Sequence, residues 1–229
     1  MSYSEKEIIQ QLKYIFSDEV LQHTKSMVED FEKLMAYYRC AIMEIETKFN
    51  VLNEEFSLRL DRNPINSIKT RLKSVQSMRE KLKRRGFPVS VQSVEENLND
   101  VAGVRVICSF PDDVYMLVDA LLKQDDINLV EKKDYIANPK PNGYRSLHLI
   151  VTVPIFLAHE KRLMKVEIQL RTIAMDSWAS LEHQLKYKKD HTFDKNMEQE
   201  LLRCAELSAE LDERMDALRA IVQSENNKQ

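Results

Sequence analysis

The first quarter of the chain carries apolar residues at helical spacing. Residues 21–60 include neither glycine nor proline, and their apolar side chains recur mostly in steps of three and four. We therefore predict one long helix with a single apolar face. The residues of that face are Phe31, Leu34, Met35, Tyr38, Ile42, Ile45, Phe49 and Leu52.

A second helix is predicted over residues 64–85. Asn63 suits the N-cap, Pro64 the first helical position and Gly86 the stop. On a helical wheel, Arg71 and Arg79 fall within the apolar stripe, where a guanidinium needs a carboxylate, an aromatic plane or a ligand. A cleft is therefore expected beside this helix. The opposite side is a basic face, which is either part of a binding site or an ordinary solvent-exposed surface. It consists of Lys73, Ser77, Lys81 and Arg84.

Short β-branched runs replace the helical pattern in the middle of the chain. The last segment, residues 196–223, returns to helical spacing and offers a seam for a helix of the same chain or of a second subunit. Together these patterns predict an α+β (mixed α/β) fold, a sheet flanked by helices. Strands are predicted at 104–110, 127–130, 147–153 and 163–170, and helices at 111–123 and 175–188.

Composition narrows the class of protein. The 229 residues are 43% hydrophobic and 31% charged, with three glycines and six prolines, which excludes collagen-like and disordered chains. The net charge of −3 does not favour a nucleic-acid partner. Three cysteines without close spacing form neither a disulfide framework nor a zinc motif. No apolar run suits a leader or a membrane span, so a cytoplasmic protein is expected.

Strand alternation singles out a polar sheet face. In the run at 163–170, Val166, Ile168 and Leu170 are predicted to face the core. The opposite face is a site if a helix covers it and ordinary solvent-exposed surface otherwise. That face carries Lys165, Glu167, Gln169 and Arg171.

Two acids and two glycines suggest the chemistry. Asp100 and Glu167, with the basic face and a Lys/Tyr/His loop at 140–148, have the parts for magnesium-dependent phosphoryl-type transfer. Gly103 and Gly143 adjoin predicted strands and mark a bulge, a turn or a close approach of the backbone. Strict alternation would put Asp100 and Arg105 on opposite faces. For both to line one pocket, Asp100 must precede the strand or a bulge must intervene.

Three motifs resemble the synthetase domain of the RelA/SpoT family. They are Asp-Val-Ala-Gly-Val-Arg at 100–105, Pro-Lys-Pro-Asn-Gly-Tyr-Arg-Ser-Leu-His at 139–148, and Val-Glu-Ile-Gln-Leu-Arg-Thr at 166–172, followed by Trp-Ala-Ser-Leu-Glu-His at 178–183. The similarity spans residues 63–188. The His-Asp dipeptide of the family's hydrolase domain is absent. The chain therefore resembles a small, stand-alone alarmone synthetase of the RelP-like type.

The resemblance implies an activity and a set of roles. The activity is transfer of the β,γ-pyrophosphate of ATP to the 3′-hydroxyl of GDP or GTP, with Mg²⁺ as cofactor. Arg71 and Arg105 would sandwich adenine, and Asp100 would bind the metal. Glu167 would either deprotonate the hydroxyl or share the metal. The phosphates of ATP would bind Lys73, Ser77, Lys81 and Arg84; the acceptor would bind Lys140, Tyr144 (stacked on guanine), His148, Gln169 and Asp176.

The resemblance also implies the organisation of the chain. We expect a nucleotidyltransferase-like core at residues 63–190, between a helical segment at 1–62 and a C-terminal helix at 191–229. The helices would assemble a homo-oligomer, expected to be a homotetramer, and catalysis would need no nucleic acid. Two rival functions stay open: pyrophosphorylation of the 3′ end of tRNA, and a catalytically silent scaffold that binds nucleotides or RNA. Glu131 replaces an arginine of long relatives and leaves the choice between GDP and GTP open.

Overall fold

The computed structural model describes residues 18–187 and 194–226, with side chains from residue 25 to 186 and from 194 to 225. A long helix comes first, a mixed sheet with short helices follows, and a second long helix ends the described chain. The elements are α1 (Asp18–Leu60), β1 (Ile65–Leu72), α2 (Val75–Arg84), α3 (Val91–Asn97), β2 (Ala102–Cys108), α4 (Pro111–Leu122), β3 (Asn128–Asp134), β4 (Leu147–Phe156), β5 (Lys161–Thr172), α5 (Ile173–Tyr187) and α6 (Lys195–Asn226).

The sheet has five strands in the order β1-β2-β5-β4-β3. Strands β2 and β5 run parallel, and the other three pairs are antiparallel. Helix α1 packs against four of the strands through fully buried Tyr38, Ile45 and Phe49. Because α1 and α4 cover the apolar side of the sheet, the polar residues of the strands are left on the opposite side. The predicted α+β fold is confirmed.

The single helix predicted over residues 64–85 is wrong. The chain forms strand β1 first and helix α2 only after Ser74, which caps the helix by accepting a hydrogen bond from the backbone N–H of Ser77 at 3.2 Å. The pairing of β1 with β2 shifts register between Ile65 and Ser67. Because of this irregularity, apolar residues that are three apart, Ile65 and Ile68, can occur within one strand. A spacing of three is also typical of a helix, which explains the wrong prediction.

The correction moves the two arginines that we expected in the apolar stripe. Arg71 lies on strand β1, and Arg79 is exposed on α2. The stop at Gly86 is confirmed, since this glycine has a φ of 74° and follows the last turn of α2. The remaining predicted helices and strands are present, with ends that differ by up to four residues; residue 188 lies outside the described residues. Within the described ranges, none of the helices is long and apolar enough to cross a membrane.

Candidate active site

A row of polar residues crosses the open face of the sheet. Lys69 on β1 pairs with Arg105 on β2, Arg105 with Gln169 on β5, Gln169 with His148 on β4, and His148 with Lys133 on β3. Residues directly opposite each other on neighbouring strands project from the same face. Five strands therefore contribute one residue each to a single line. The predicted alternation of β5 is confirmed, because Val166, Ile168 and Leu170 are fully buried on the other face.

The neighbouring row places Glu167 beside a cleft. Gly103 pairs with Arg71 on one side and with Glu167 on the other. A Cβ atom at Gly103 would lie 3.2 Å from both Cγ and Nε of Arg71, so the glycine lets the arginine lie across β2. This is the close approach predicted for Gly103. Arg71 Nη2 lies 3.6 Å from Glu167 Oε2, at a cleft that Lys69, Arg105 and Gln169 also line.

Asp100 precedes β2 and belongs to a second charged cluster. Its Oδ2 accepts from Lys73 Nζ at 3.0 Å and pairs with Lys81 Nζ at 2.6 Å. Burial of Asp100 opposes its ionisation, but the hydrogen bonds from Lys81 and Lys73 outweigh that effect and lower its pKa. Its Oδ1 is buried without a hydrogen-bond partner. One oxygen of a charged carboxylate is therefore left for a further ligand.

The basic face changes with the corrected secondary structure. Lys73 precedes the cap of α2, and its side chain and that of Lys81 turn inward to Asp100 rather than to open solvent. Ser77 lies in the first turn of α2, where its hydroxyl accepts from the Ser74 hydroxyl at 2.9 Å. Arg84 is exposed at the last residue of the same helix. Helix α2 thus contributes three of the four predicted residues.

The two acids expected to share a metal lie in different clusters. Asp100 contacts the lysines near α2, and Glu167 contacts Arg71 and accepts from Gln169 Nε2 at 3.1 Å. No group of three or more His, Cys, Asp or Glu side chains that could hold a metal occurs in the part of the chain with described residues.

Aromatic and basic side chains gather at the other end of the polar row. The hydroxyl of Tyr144 lies 2.8 Å from His148 Nε2 and accepts from Arg171 Nη2 at 2.6 Å. The Lys140 ammonium lies 4.6 Å from the ring centroid of Tyr135 and 4.8 Å from that of Tyr144. Tyr135 was not singled out in the sequence, although it directly follows β3 and packs edge-on against Tyr144. This pocket combines aromatic faces with positive charge.

His148 is a neutral imidazole in this pocket. Burial lowers its pKa to about 3, and the nearby positive charges of Arg171, Lys140, Lys133 and Arg105 act in the same direction. Its Nδ1 lies 3.9 Å from Glu167 Oε1. Neutral His148 therefore stands between the aromatic pocket and the carboxylate at the cleft.

Asp176, in the first turn of α5, meets three cations. It pairs with Lys69 at 3.1 Å, with Arg105 at 3.2 Å and with Arg171 at 3.2 Å. Alternation placed Arg171 on the polar face without a role, and Lys69 was missed because it fell within the predicted helix. A strand assignment at residues 65–72 would have put Lys69 on the same face as Arg71.

The loop that holds Tyr144 rests on the C-terminal helix. Gly143 has a φ of 84°, and a Cβ atom there would lie 2.4 Å from Cβ of Ala205 on α6. Trp178 of α5 is buried beside it and donates to the Leu201 carbonyl at 3.0 Å. Helices α5 and α6 therefore set the position of this loop against the sheet.

The chain is similar to proteins of one family over most of its length. A profile of the region found in RelA / SpoT proteins matches residues 70–192. The GTP pyrophosphokinase YwaC of Bacillus subtilis is 44% identical over 191 residues, which cover 83% of this chain and 91% of that protein. The GTP pyrophosphokinase YjbM of the same organism is 34% identical over 195 residues, 85% of this chain and 91% of that protein.

Solved structures agree with this assignment. The crystal structure of small alarmone synthetase 2 from Bacillus subtilis has a TM-score of 0.76 at 42% identity and covers 83% of this chain and 98% of its own. That of small alarmone synthetase 1 from the same organism, bound to its product pppGpp, has a TM-score of 0.75 at 35% identity and covers 84% of this chain and 97% of its own. The fold is thus shared with small alarmone synthetases over most of the chain.

Proposed function

The chain belongs to the RelA/SpoT family, and from this premise we propose that it is a GTP pyrophosphokinase. It transfers the β,γ-pyrophosphate of ATP to the 3′-hydroxyl of GDP or GTP, which yields ppGpp or pppGpp and AMP. The observation that carries this proposal is the place of Glu167, 3.6 Å from Arg71 on the cleft side and 3.9 Å from His148 on the aromatic side. A carboxylate between two nucleotide pockets can accept the proton of the acceptor's 3′-hydroxyl as that oxygen attacks the donor's phosphate.

The cleft is the donor side of the site. Arg71 and Arg105 line it from neighbouring strands, and planar guanidinium groups suit both faces of an adenine ring. The phosphates of ATP would follow towards α2, where four polar residues are available. They are Lys73, Ser77, Lys81 and Arg84.

The aromatic pocket is the acceptor side. Tyr144 offers a ring on which guanine stacks, and Lys140 lies close enough to exchange its contact with the ring for one with a phosphate. Neutral His148 can accept a hydrogen bond from the acceptor or donate one to it, and Gln169, opposite His148 on β5, donates to Glu167. Asp176, on α5, is the last of the residues proposed for the acceptor side.

Catalysis on this arrangement is mainly positioning and charge stabilisation. Glu167 would take the proton of the attacking 3′-hydroxyl or share a metal ligand role, and the cations of both pockets stabilise charge on the transferred group. A divalent ion, proposed to be Mg²⁺, supplies further neutralisation of phosphate charge when it is bound. The unpartnered Asp100 Oδ1 fits this role, because hard cations prefer carboxylate oxygens. Asp100 would hold the ion through this oxygen, and a share of Glu167 in the metal site stays a prediction, because its carboxylate lies in the other cluster.

Assembly and location complete the proposal. Half-exposed apolar residues form a stripe along α6, which supports a homo-oligomer, proposed to be a homotetramer, because such a stripe is stabilised by a partner helix. We place the enzyme in the cytoplasm, with its nucleotide substrates, and require no nucleic acid for turnover. The domain boundaries at residues 62 and 190 stay a prediction; residue 190 lies outside the described residues. The stripe consists of Leu207, Leu211, Met215, Leu218 and Val222.

Product analysis with labelled ATP tests the proposal. The purified chain should convert ATP plus GDP or GTP to ppGpp or pppGpp and AMP, and leave deacylated tRNA unlabelled. The variant Glu167→Gln should lose turnover by at least about a hundredfold and still bind a non-hydrolysable ATP analogue. Glu29→Gln is the matched control, since Glu29 is an exposed carboxylate on α1 that pairs with Lys25 at 3.9 Å. Product from Glu167→Gln at the wild-type rate, or label in tRNA alone, would overturn the proposal.

A further inference from the structure

Asp176 connects the two sides of the site. We propose that Asp176 is a positioning residue that fixes the donor-side Arg105 and the acceptor-side Arg171 relative to each other. This inference rests on the proposed function and deepens it, because it concerns how the two nucleotides are aligned for one transfer.

The contacts of Asp176 divide between the two sides. A single oxygen, Oδ1, accepts from Arg105 Nη1 at 3.2 Å and from Arg171 Nη1 at 3.2 Å. The other oxygen accepts from Lys69 Nζ at 3.1 Å. Asp176 is only 7% exposed and Arg171 5%, so water screens this pair weakly. Two guanidinium groups that would otherwise repel each other are thereby held on one carboxylate oxygen.

The electrostatics of Arg105 show why a negative charge is needed between the arginines. Burial lowers the pKa of Arg105, and the positive charge of Arg171 lowers it further, while Asp176 acts in the opposite direction. Without the carboxylate, both guanidinium groups would lie partly desolvated next to a like charge. Each would then move towards solvent and away from its place in the row.

Arg171 also contacts residues of the acceptor pocket. Its second amino group donates to the Tyr144 hydroxyl at 2.6 Å and to Gln169 Oε1 at 3.1 Å. Gln169 in turn donates to Glu167 Oε2 at 3.1 Å. The position of the predicted guanine platform and that of the predicted catalytic carboxylate thus both depend on Arg171, and Arg171 is held by Asp176.

This role differs from a direct contact between Asp176 and the acceptor base. A residue that only touches guanine affects the acceptor alone, whereas a residue that holds Arg105 and Arg171 affects both substrates. In this structure Oδ1 of Asp176 already accepts two hydrogen bonds and Oδ2 accepts one, all three from side chains of the site. The geometry therefore favours action through the arginines.

Steady-state kinetics of Asp176→Asn separate the two roles. This variant keeps the shape of the side chain and removes its charge. We expect kcat/KM to fall about tenfold for ATP and about tenfold for GDP, as for the loss of a charge-assisted hydrogen bond on each side. A loss for GDP alone would establish base contact instead and overturn the inference, and so would wild-type values for both.

A double-mutant cycle excludes a merely structural effect. In an Arg105→Ala background, Asp176→Asn should cause no further loss of kcat/KM for ATP and still lower the value for GDP, because the donor-side partner is already gone. A further loss for ATP of the same size as in the wild type would contradict the proposed link. Asp113→Asn is the control, since Asp113 on helix α4 is also buried and pairs with Arg62 at 2.7 Å. This variant should leave kcat/KM for ATP and for GDP unchanged in folded protein.

The outcome can be separated from a failure of the proposed function. If the wild-type chain makes no ppGpp or pppGpp, the function fails before Asp176 is tested. If the wild type is active and both substrates are unaffected in Asp176→Asn, only the positioning role fails. Should Asp176→Asn not fold, Asp176→Glu keeps the charge but displaces it by one methylene. It is expected to lower kcat/KM for both nucleotides together, and a loss for one alone would count against the role.

Discussion

His148 should make the stability of the fold depend on pH in a defined window. Its side chain is 17% exposed, and burial lowers its pKa from 6.5 to about 3. The groups that face it are the cations Arg171, Lys140, Lys133 and Arg105, and Glu167 at 3.9 Å. The positive charges outnumber the single carboxylate, so they add to the effect of burial.

The direction of the change in stability follows from how many protons the folded and the unfolded protein bind. As the pH falls below about 6.5, His148 becomes protonated in the unfolded chain but stays neutral in the folded protein until about pH 3. The stability linked to His148 is therefore complete above pH 6.5 and is lost progressively below it. At about pH 5 the loss is about 2 kcal/mol, since each unit of pKa difference corresponds to about 1.4 kcal/mol.

Urea denaturation of wild type and His148→Gln measures this loss. Glutamine cannot be protonated in this range and retains hydrogen-bonding groups for Tyr144. Between about pH 7 and pH 5, the free energy of unfolding of the wild type should fall by about 2 kcal/mol more than that of the variant. Carboxylates titrate in both proteins alike and cancel in the comparison. His159→Gln, at an exposed histidine, is the control. Parallel pH profiles for wild type and His148→Gln would refute the reasoning.

Two further predictions concern the acceptor loop. Tyr144→Ala should raise the KM for GDP about tenfold, through the loss of base stacking, and change the KM for ATP less than twofold. Tyr144→Phe keeps the ring, so its KM for GDP should lie between those of the wild type and Tyr144→Ala. Equal effects of Tyr144→Ala on the KM values for both substrates would remove the stacking role. Gly143→Ala should cost at least about 2 kcal/mol more in unfolding free energy than Gly86→Ala. Both glycines have positive φ, but only at Gly143 would the new Cβ meet another residue, Ala205, at 2.4 Å; similar costs measured by urea denaturation would show that α6 does not restrain the loop.

Local patterns predicted most elements and most of the polar face. The alternation of β5 and the helical period of α1 depend on neighbours within a few residues, and these predictions are confirmed. The place of Asp100 before β2 was one of two alternatives that alternation left open. Sequence spacing could not show that its carboxylate meets Lys73 and Lys81, because that contact depends on how α2 docks after the turn at Ser74.

Contacts between distant segments explain what the sequence could not predict. Lys69 and Asp176 are 107 residues apart, and Arg105 and Asp176 are 71 apart. These meetings depend on the register of β1 against β2 and of β2 against β5. Register is set by pairing across the whole sheet, and a slip of one residue would reverse the face on which every side chain of a strand lies.

The error at residues 64–85 also shows why this segment must begin as a strand. In a helix, residues two apart project from nearly opposite sides, so Lys69 and Arg71 could not both reach the cleft. In strand β1 the same two residues share a face, opposite Arg105 and Gly103. The two cations that β1 adds to the cleft therefore require a strand at this position. A nucleotide-binding role for Arg71 favours this strand over the helix that the apolar spacing of the segment predicts.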